Sequence, residues 1–167
     1  MHFNKNEYTK LLIYILSNCY DKPHVGKTVI TTTLYFVDFN YYEIYGKSLT
    51  NEIYLKNKTG IKPKHFAKIT SELIEKNKLY FRKEAYYHTT LHKYYLKEIP
   101  NIKFSKKMEK IIKSSMKHLI TKNATGLVKY VSKDPPYQIA DFNDEIDYNN
   151  VYFRDSKYSI RKKYINL

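Results

Sequence analysis

Apolar residues recur at helical spacing through the first third of the chain. One stripe consists of Tyr8, Leu11, Leu12, Ile15 and Cys19. This spacing predicts a helix from about Lys5 to Asn18, because residues three and four positions apart share one helix face. A second helix is predicted from about Thr28 to Tyr45. Gly46 follows it as the residue type that most easily takes the left-handed conformation after a helix.

The middle of the chain carries alternating strand and helix signals. The sequence predicts a short strand at Glu52–Lys56, a turn at Thr59–Gly60 and a third helix whose first residue is Pro63. That helix is expected to bury Phe66, Ile69 and Leu73. The aromatic-rich run from Leu79 to Lys97 predicts two strands with a turn near His88–Leu91. A helix followed by a hairpin is the order of elements in a winged helix.

A fourth helix is predicted after Ser105, which is a suitable N-cap residue. Its buried side is expected to hold Met108, Ile111, Ile112, Met116 and Leu119. A short helix from about Ala124 to Ser132 follows, and the tail from Lys133 onward predicts an irregular wrap with local helix or strand. The expected fold class is α+β and predominantly helical, as a single domain over 1–167 with a winged-helix-like helix plus β-hairpin centre.

The net charge of +14 is concentrated in the middle of the chain. Residues 56–122 hold 18 Lys and Arg against 5 Asp and Glu, a net charge of +13. Such an excess attracts acidic partners, which are either nucleic acid or an acidic protein surface. Only 3 of the 30 basic residues are Arg, which argues against base-specific recognition, and A/T-rich coding remains an alternative origin of the lysines.

Four of these lysines form a stripe on the fourth helix, opposite its apolar side. Together with two lysines at the third helix they make the candidate partner-binding face, which we call the lysine face. Its residues are Lys106, Lys110, Lys113, Lys117, Lys64 and Lys68.

The sequence predicts neither export nor a disulfide. Cys19 is the only cysteine, so it cannot form an intramolecular disulfide, and its place on the apolar stripe predicts a buried core residue. The first residues lack the pattern of a signal peptide, and no apolar run is long enough to span a bilayer. We expect a cytoplasmic protein.

No motif in the chain predicts catalysis, a cofactor or a metal. Gly26-Lys27-Thr28 resembles the end of a phosphate-binding loop, but the upstream glycine and the preceding strand are missing, so a turn before the second helix is the better interpretation. The six histidines lack zinc-ligand spacing, and the acidic run 141–147 lacks the glycine of a calcium loop. Asp38 lies in an aromatic run, where it is either buried with partners or exposed on a helix surface.

The run TVITTTLYFVDFNYYEIYGKSLTNEIYLKNKTGIKPKHF, together with KLLIYIL upstream and YVSKDPPYQ and DEIDY downstream, resembles the Panacea antitoxin domain of SocA-like proteins. The order and spacing of these pieces carry the resemblance. Two residues depart from the pattern, since Ile61 follows Gly60 where the family usually has Pro, and Ser132 stands where His is expected before Asp134 and Pro135.

The resemblance implies an antitoxin of a bacterial or phage toxin–antitoxin pair, which neutralises a cognate toxin by direct protein binding and is not an enzyme. The alternative is a nucleic-acid-binding regulator that uses the third helix, the hairpin and the lysine stripe. A third hypothesis, a hydrolase, requires a pocket with convergent polar groups.

Overall fold

A computed structural model describes residues 2–164. Its longest helix, α2 (Lys27–Tyr45), lies at the centre of the fold. Most of its residues are buried, including polar residues such as Asp38, Asn40 and Glu43. A helix that is buried on nearly all sides must be surrounded by other elements. Helices α1 (Lys5–Ser17), α4 (Lys106–Leu119) and α5 (Ala124–Val131) pack around it, and the C-terminal segment closes the remaining side.

The predicted helices are confirmed, with ends that differ by one or a few residues. Gly46 takes φ 64° after α2, and the Ser105 hydroxyl accepts a hydrogen bond from the Met108 amide at the start of α4. The buried side of α4 is formed by Ile111, Ile112, Met116 and Leu119, while Met108 is half-buried. Cys19 is buried, as predicted.

A small hairpin between α2 and the third helix corrects one prediction. Strands β1 (Tyr54–Asn57) and β2 (Gly60–Pro63) pair antiparallel, and Gly60 takes φ 116° at the turn. Pro63 is therefore the last residue of β2 and not the first residue of a helix. The Lys64 amide donates to the Ile53 carbonyl, so Pro63 occupies the neighbouring position whose nitrogen points away from β1. A proline is tolerated there because the ladder needs no donor.

The helix-then-hairpin centre is present. Helix α3 (Phe66–Glu75) buries Phe66, Ile69 and Leu73 as predicted, and it packs against strand β3 (Leu79–Tyr86). Strand β4 (Thr89–Leu96) pairs antiparallel with β3. The turn lies at Tyr87–His88, slightly earlier than predicted. Tyr87 takes a positive φ of 52° there, a conformation that the chain needs to reverse direction. The position of this turn could not be predicted more closely, because the residues there are not the glycine or asparagine that usually mark a positive φ.

The tail contains local helices, as predicted. These are α6 (Pro135–Ile139), a 3-10 helix (Tyr148–Phe153) and α7 (Arg161–Tyr164). Residues before the 3-10 helix also add to β1, since Leu55 pairs antiparallel with Glu145. The resulting α+β architecture is predominantly helical with two separate antiparallel hairpins. Within residues 2–164, no helix combines the length and apolar character that crossing a bilayer demands.

A buried ion network fastens the tail to α2. The Arg154 guanidinium donates to both oxygens of Asp134, at 2.8 and 2.7 Å. It also donates to Glu43 at 3.1 Å and to Asn40 at 2.9 Å. The side chains of Arg154, Asp134 and Glu43 have no solvent exposure. The Tyr35 hydroxyl donates to Asp134 at 2.7 Å, so two residues far apart in the tail are bound to one helix.

Replacing Arg154 with Met should destabilise the protein strongly. The substitution leaves the carboxylate of Asp134 buried without its cation, while Glu43 keeps only the partly exposed Arg161 at 3.2 Å. Breaking a buried ion pair in this way typically costs about 3–5 kcal/mol. Urea unfolding followed by circular dichroism measures the change. The matched control is Arg82→Met, because Arg82 is exposed on the hairpin and its loss should cost no more than about 0.5 kcal/mol. Equal losses in the two variants would contradict a structural role for the network.

Candidate partner-binding surface

Asp38 holds the loop that follows α2. Its carboxylate accepts hydrogen bonds from the amides of Leu49 and Thr50, at 3.1 and 3.0 Å. It also accepts from the hydroxyls of Ser48 at 3.2 Å, Tyr54 at 2.7 Å, and Thr50. Asp38 has 0% exposure, so of the two interpretations open from the sequence, the structure confirms burial with partners. Desolvation raises the pKa of Asp38 to about 6, and the hydrogen bonds oppose that rise.

Glu52 connects this loop to the start of α3. One carboxylate oxygen accepts from the His65 amide at 3.1 Å, and the other lies 2.8 Å from His65 Nδ1. Because His65 provides no side-chain cap of its own, Glu52 supplies the missing acceptor for the first turn of α3. Phe3 stacks on the His65 ring with 3.9 Å between ring centroids. The orientation of α3 is thereby fixed from two sides.

The residues of the lysine face are exposed, but they lie on elements with different neighbours. Lys64 and Lys68 are at the start of α3, which packs on β3, whereas the other four are on α4, which packs on α2. On α4, Lys113 forms an ion pair with Glu109 at 2.7 Å, and Lys110 Nζ lies 5.4 Å from the Tyr164 ring centroid. Partner binding by all six lysines together stays a prediction.

Lys64 instead lines a small basic cavity that the sequence did not reveal. The cavity has a volume of about 250 Å³ and also includes Lys27 at the start of α2 and Lys62 of β2. Lys27 Nζ lies 5.8 Å from the Phe66 ring centroid. These lysines meet only because β2 folds back on β1, and the missed strand explains why the cavity could not be predicted. Gly26 is the N-cap residue of α2, and Lys27 and Thr28 are the first two residues of that helix, so this segment begins α2 after a helix and a turn and not after a strand.

The β3–β4 hairpin presents aromatic and cationic groups. Tyr80 and Tyr95 stack across the strands at 5.2 Å between centroids. The cationic groups of Arg82 and Lys97 lie 5.2 and 5.3 Å from the Tyr80 ring centroid. At the tip, Tyr87 is 88% exposed. Tyr and Arg are enriched in protein interfaces because they bury large areas while keeping polar ends, so the hairpin has the composition of a contact surface.

A groove of about 710 Å³ lies at the base of this hairpin. Its walls come from α1, from the turn between α3 and β3, and from the loop between β4 and α4. The apolar side chains in the groove are Ile13, Leu96, Pro100 and Ile102. Lys10, Lys78, Lys97 and Glu98 provide its charged groups. The groove combines residues that are more than 90 positions apart in the sequence, from Lys10 to Ile102.

The described residues do not assemble a catalytic arrangement. A polar cavity of about 210 Å³ is lined by His118 and several serines. However, Ser114 bonds to Tyr164, Ser115 to Asn40 and Ser159 to Glu43, so these hydroxyls are engaged by groups other than the imidazole. Burial raises the pKa of the Cys19 thiol to about 12, which opposes thiolate formation. Between residues 2 and 164, no cluster of His, Cys, Asp and Glu is arranged to hold a metal.

A family model described as the antitoxin SocA-like Panacea domain matches residues 32–138. The matched part runs from within α2 through both hairpins to α6. No curated protein and no solved structure matches the chain. Of the two departures from the family pattern, Ile61 is buried in β2, and Ser132 ends α5, where its hydroxyl donates to the Lys129 carbonyl at 2.9 Å. Both residues are accommodated without an unpaired buried polar group.

Asp38 should make stability fall as the pH rises through its titration range. Its pKa of about 6 exceeds the ordinary value of 3.8, so the folded chain retains a proton that the unfolded chain loses between these values. This contribution amounts to about 3 kcal/mol between low pH and neutrality. Unfolding of wild type and Asp38→Asn across pH 3–7 isolates this contribution, because the two proteins share every other titrating group. The free energy of unfolding of wild type should exceed that of Asp38→Asn by the largest amount at acidic pH. A carboxyl NMR titration of Asp38 with a midpoint below about 4 would contradict this assignment.

Proposed function

Because the chain belongs to the SocA-like Panacea antitoxin family, we propose that it neutralises a cognate toxin by direct protein binding. The observation that carries the proposal is the family match over residues 32–138, which includes both hairpins and helices α3, α4 and α5. Membership suggests an antitoxin-type role without enzymatic chemistry. Direct binding is the mechanism that best suits a chain whose described residues offer contact surfaces and no catalytic arrangement.

A binding role is supported by buried hydrogen bonds and ion pairs that hold the exposed surface of the protein in one conformation. Asp38 and Glu52 fix the loop and the start of α3, and the Arg154 network fixes the tail. A surface that is rigid before binding loses little conformational entropy when the partner docks. The positive field of residues 56–122 would steer an acidic partner toward the hairpin side of the molecule and raise the association rate. Binding would take place in the cytoplasm, where a bacterial or phage toxin acts on its host.

Co-expression with the product of the neighbouring gene, taken as the candidate toxin, tests the proposal. The toxin alone should arrest growth, and the antitoxin should restore it. A tagged antitoxin should also retain the toxin during affinity purification and gel filtration. The Arg154→Met variant is a useful control, because its lower stability should weaken both results. If growth is not restored and the two proteins do not co-purify, the proposed binding to that toxin is wrong.

Nucleic-acid binding is the second candidate function. It is favoured by the exposed lysine stripe on α4 and by the net charge of +13 over residues 56–122. The scarcity of Arg limits it to sequence-independent attraction to phosphate groups. The aromatic hairpin would add stacking contacts to a single strand.

This second function predicts a steep dependence of affinity on salt. Each neutralised phosphate contributes a slope of about −0.9 in log K against log salt on duplex DNA. The double variant Lys110→Glu/Lys113→Glu should therefore weaken binding to every sequence and reduce the slope by about 2. Fluorescence anisotropy with duplex and single-stranded DNA and RNA measures the effect. An absence of salt-dependent binding to all of these probes would eliminate the second function.

A further inference from the structure

The groove at the base of the β3–β4 hairpin has an apolar lining that the rest of the described chain leaves open. Ile13 and Leu96 pack against the core from one side and face the groove from the other. Ile102 and Pro100 enter it from the loop before α4. In the same loop Ile99 is 61% exposed. Partly exposed apolar groups around a concave surface are a common feature of sites where a partner docks.

Two lysines stand at the edge of the groove without an acidic partner. The Lys97 amide donates to the Lys78 carbonyl at 3.0 Å, which places these residues opposite each other at the base of the hairpin. Among the described residues, neither ammonium group forms an ion pair, whereas Lys10 is paired with Glu7 at 2.9 Å. Like charges directly opposite each other in a strand pair are destabilising. A carboxylate from a partner would relieve this repulsion.

The charge of the surrounding segment has the same sign. Residues 76–105, which form the turn after α3, the hairpin and the loop before α4, hold seven Lys and Arg against two Glu, a net charge of +5. Glu84 is occupied, since it accepts from Tyr95 at 2.6 Å and lies 3.6 Å from Lys93. Among the described residues that line the groove, Glu98 alone is acidic. Charge complementarity therefore selects an acidic occupant.

The shape of the groove favours a chain segment over a small metabolite. Its volume of about 710 Å³ can hold several side chains. Small-molecule sites usually contain convergent buried polar groups that orient the ligand, whereas the charged residues of this groove are half-buried or exposed. A bulky apolar side chain would fit the lining made by Ile13, Leu96 and Ile102, and flanking carboxylates would reach Lys78 and Lys97.

We propose that this groove is the docking site for an acidic segment of the toxin, which inserts one bulky apolar side chain between α1 and the loop that precedes α4. The inference rests on the proposed function, because it names the surface by which the antitoxin holds its toxin. It differs from the lysine face, whose α4 residues lie on a separate element.

Two variants test the groove with the toxin that co-purifies with wild type. Lys78→Glu/Lys97→Glu reverses the charge at its edge, and Ile102→Asp puts a charge into its apolar lining. Each should weaken toxin binding by about tenfold or more in isothermal titration calorimetry, because one removes charge complementarity and the other desolvates a carboxylate. All changed residues are exposed or half-buried, and circular dichroism with thermal unfolding confirms that each variant is folded.

The matched control is Lys129→Glu/Lys133→Glu, which makes the same change of charge at two exposed lysines outside both the groove and the lysine face. It should leave toxin affinity within about threefold of wild type, since only general attraction is altered. Folded groove variants that keep wild-type affinity would overturn the proposal. A third variant, Lys106→Glu/Lys117→Glu, tests the lysine face, and strong weakening by this variant alone would assign toxin binding to that face. Self-association of wild type that disappears in Ile102→Asp would assign the groove to a second copy of the chain.

A peptide experiment separates failure of the groove from failure of the proposed function. The probe is a short fluorescent peptide with one Phe between Glu residues. Wild type should bind it saturably in fluorescence anisotropy, and Lys78→Glu/Lys97→Glu should bind it at least about tenfold more weakly. Peptides with Gly in place of Phe, or with Lys in place of Glu, should not bind. If the neighbouring toxin fails to bind but this peptide binds as expected, the groove proposal survives alone. If the acidic peptide shows no saturable binding and the groove variants retain the toxin, the groove proposal is wrong.

Discussion

The buried guanidinium of Arg154 is the interaction on which the arrangement of the tail depends. It satisfies the carboxylates of Asp134 and Glu43 in a region without solvent, and Asn40 and Tyr35 complete the network. Each of these charges would be costly to bury alone, so their mutual pairing favours the arrangement of α2, α6 and the 3-10 helix that brings them together. Because α2 is the axis of the fold, fastening the tail to it also shields the polar side of that helix from water.

The second buried carboxylate on α2 has a different role, which is to position the part of the molecule that faces partners. Asp38 binds the loop after α2, and Glu52 in that loop caps α3. The α3 helix packs on β3, so Asp38 and Glu52 also help to position the hairpin and the groove at its base. Since both groups are desolvated, their hydrogen bonds determine the local conformation more strongly than exposed contacts would.

The exposed lysines on the two faces of the molecule differ in whether they have partners within the described chain. Lysines on α4 are partly paired or in contact with the tail, as Lys113 and Lys110 show. The lysines at the groove, Lys78 and Lys97, are unpaired within the described chain and border an apolar lining. Protein interfaces combine an apolar centre with a charged rim, whereas phosphate binding requires mainly charge. The groove therefore suits the antitoxin-type role that the family suggests. The lysine stripe on α4 suits the alternative function of nucleic-acid binding.

The sequence by itself determined the helices, because their signals are local. A repeat of three to four residues and the end signals at Ser105 and Gly46 identified α1, α2 and α4, and the order of pieces in the chain identified the family. Tertiary structure decided what depends on residues distant in sequence. It made Pro63 a strand residue through pairing with β1, buried Asp38 among five donors, and brought Arg154 to Glu43 across more than a hundred residues. The groove belongs to this second group, since no periodicity relates Ile13 to Ile102. Local hydrogen bonds and side-chain spacing can be read along a chain, but ion pairs, strand pairs and cavities exist only after it has folded.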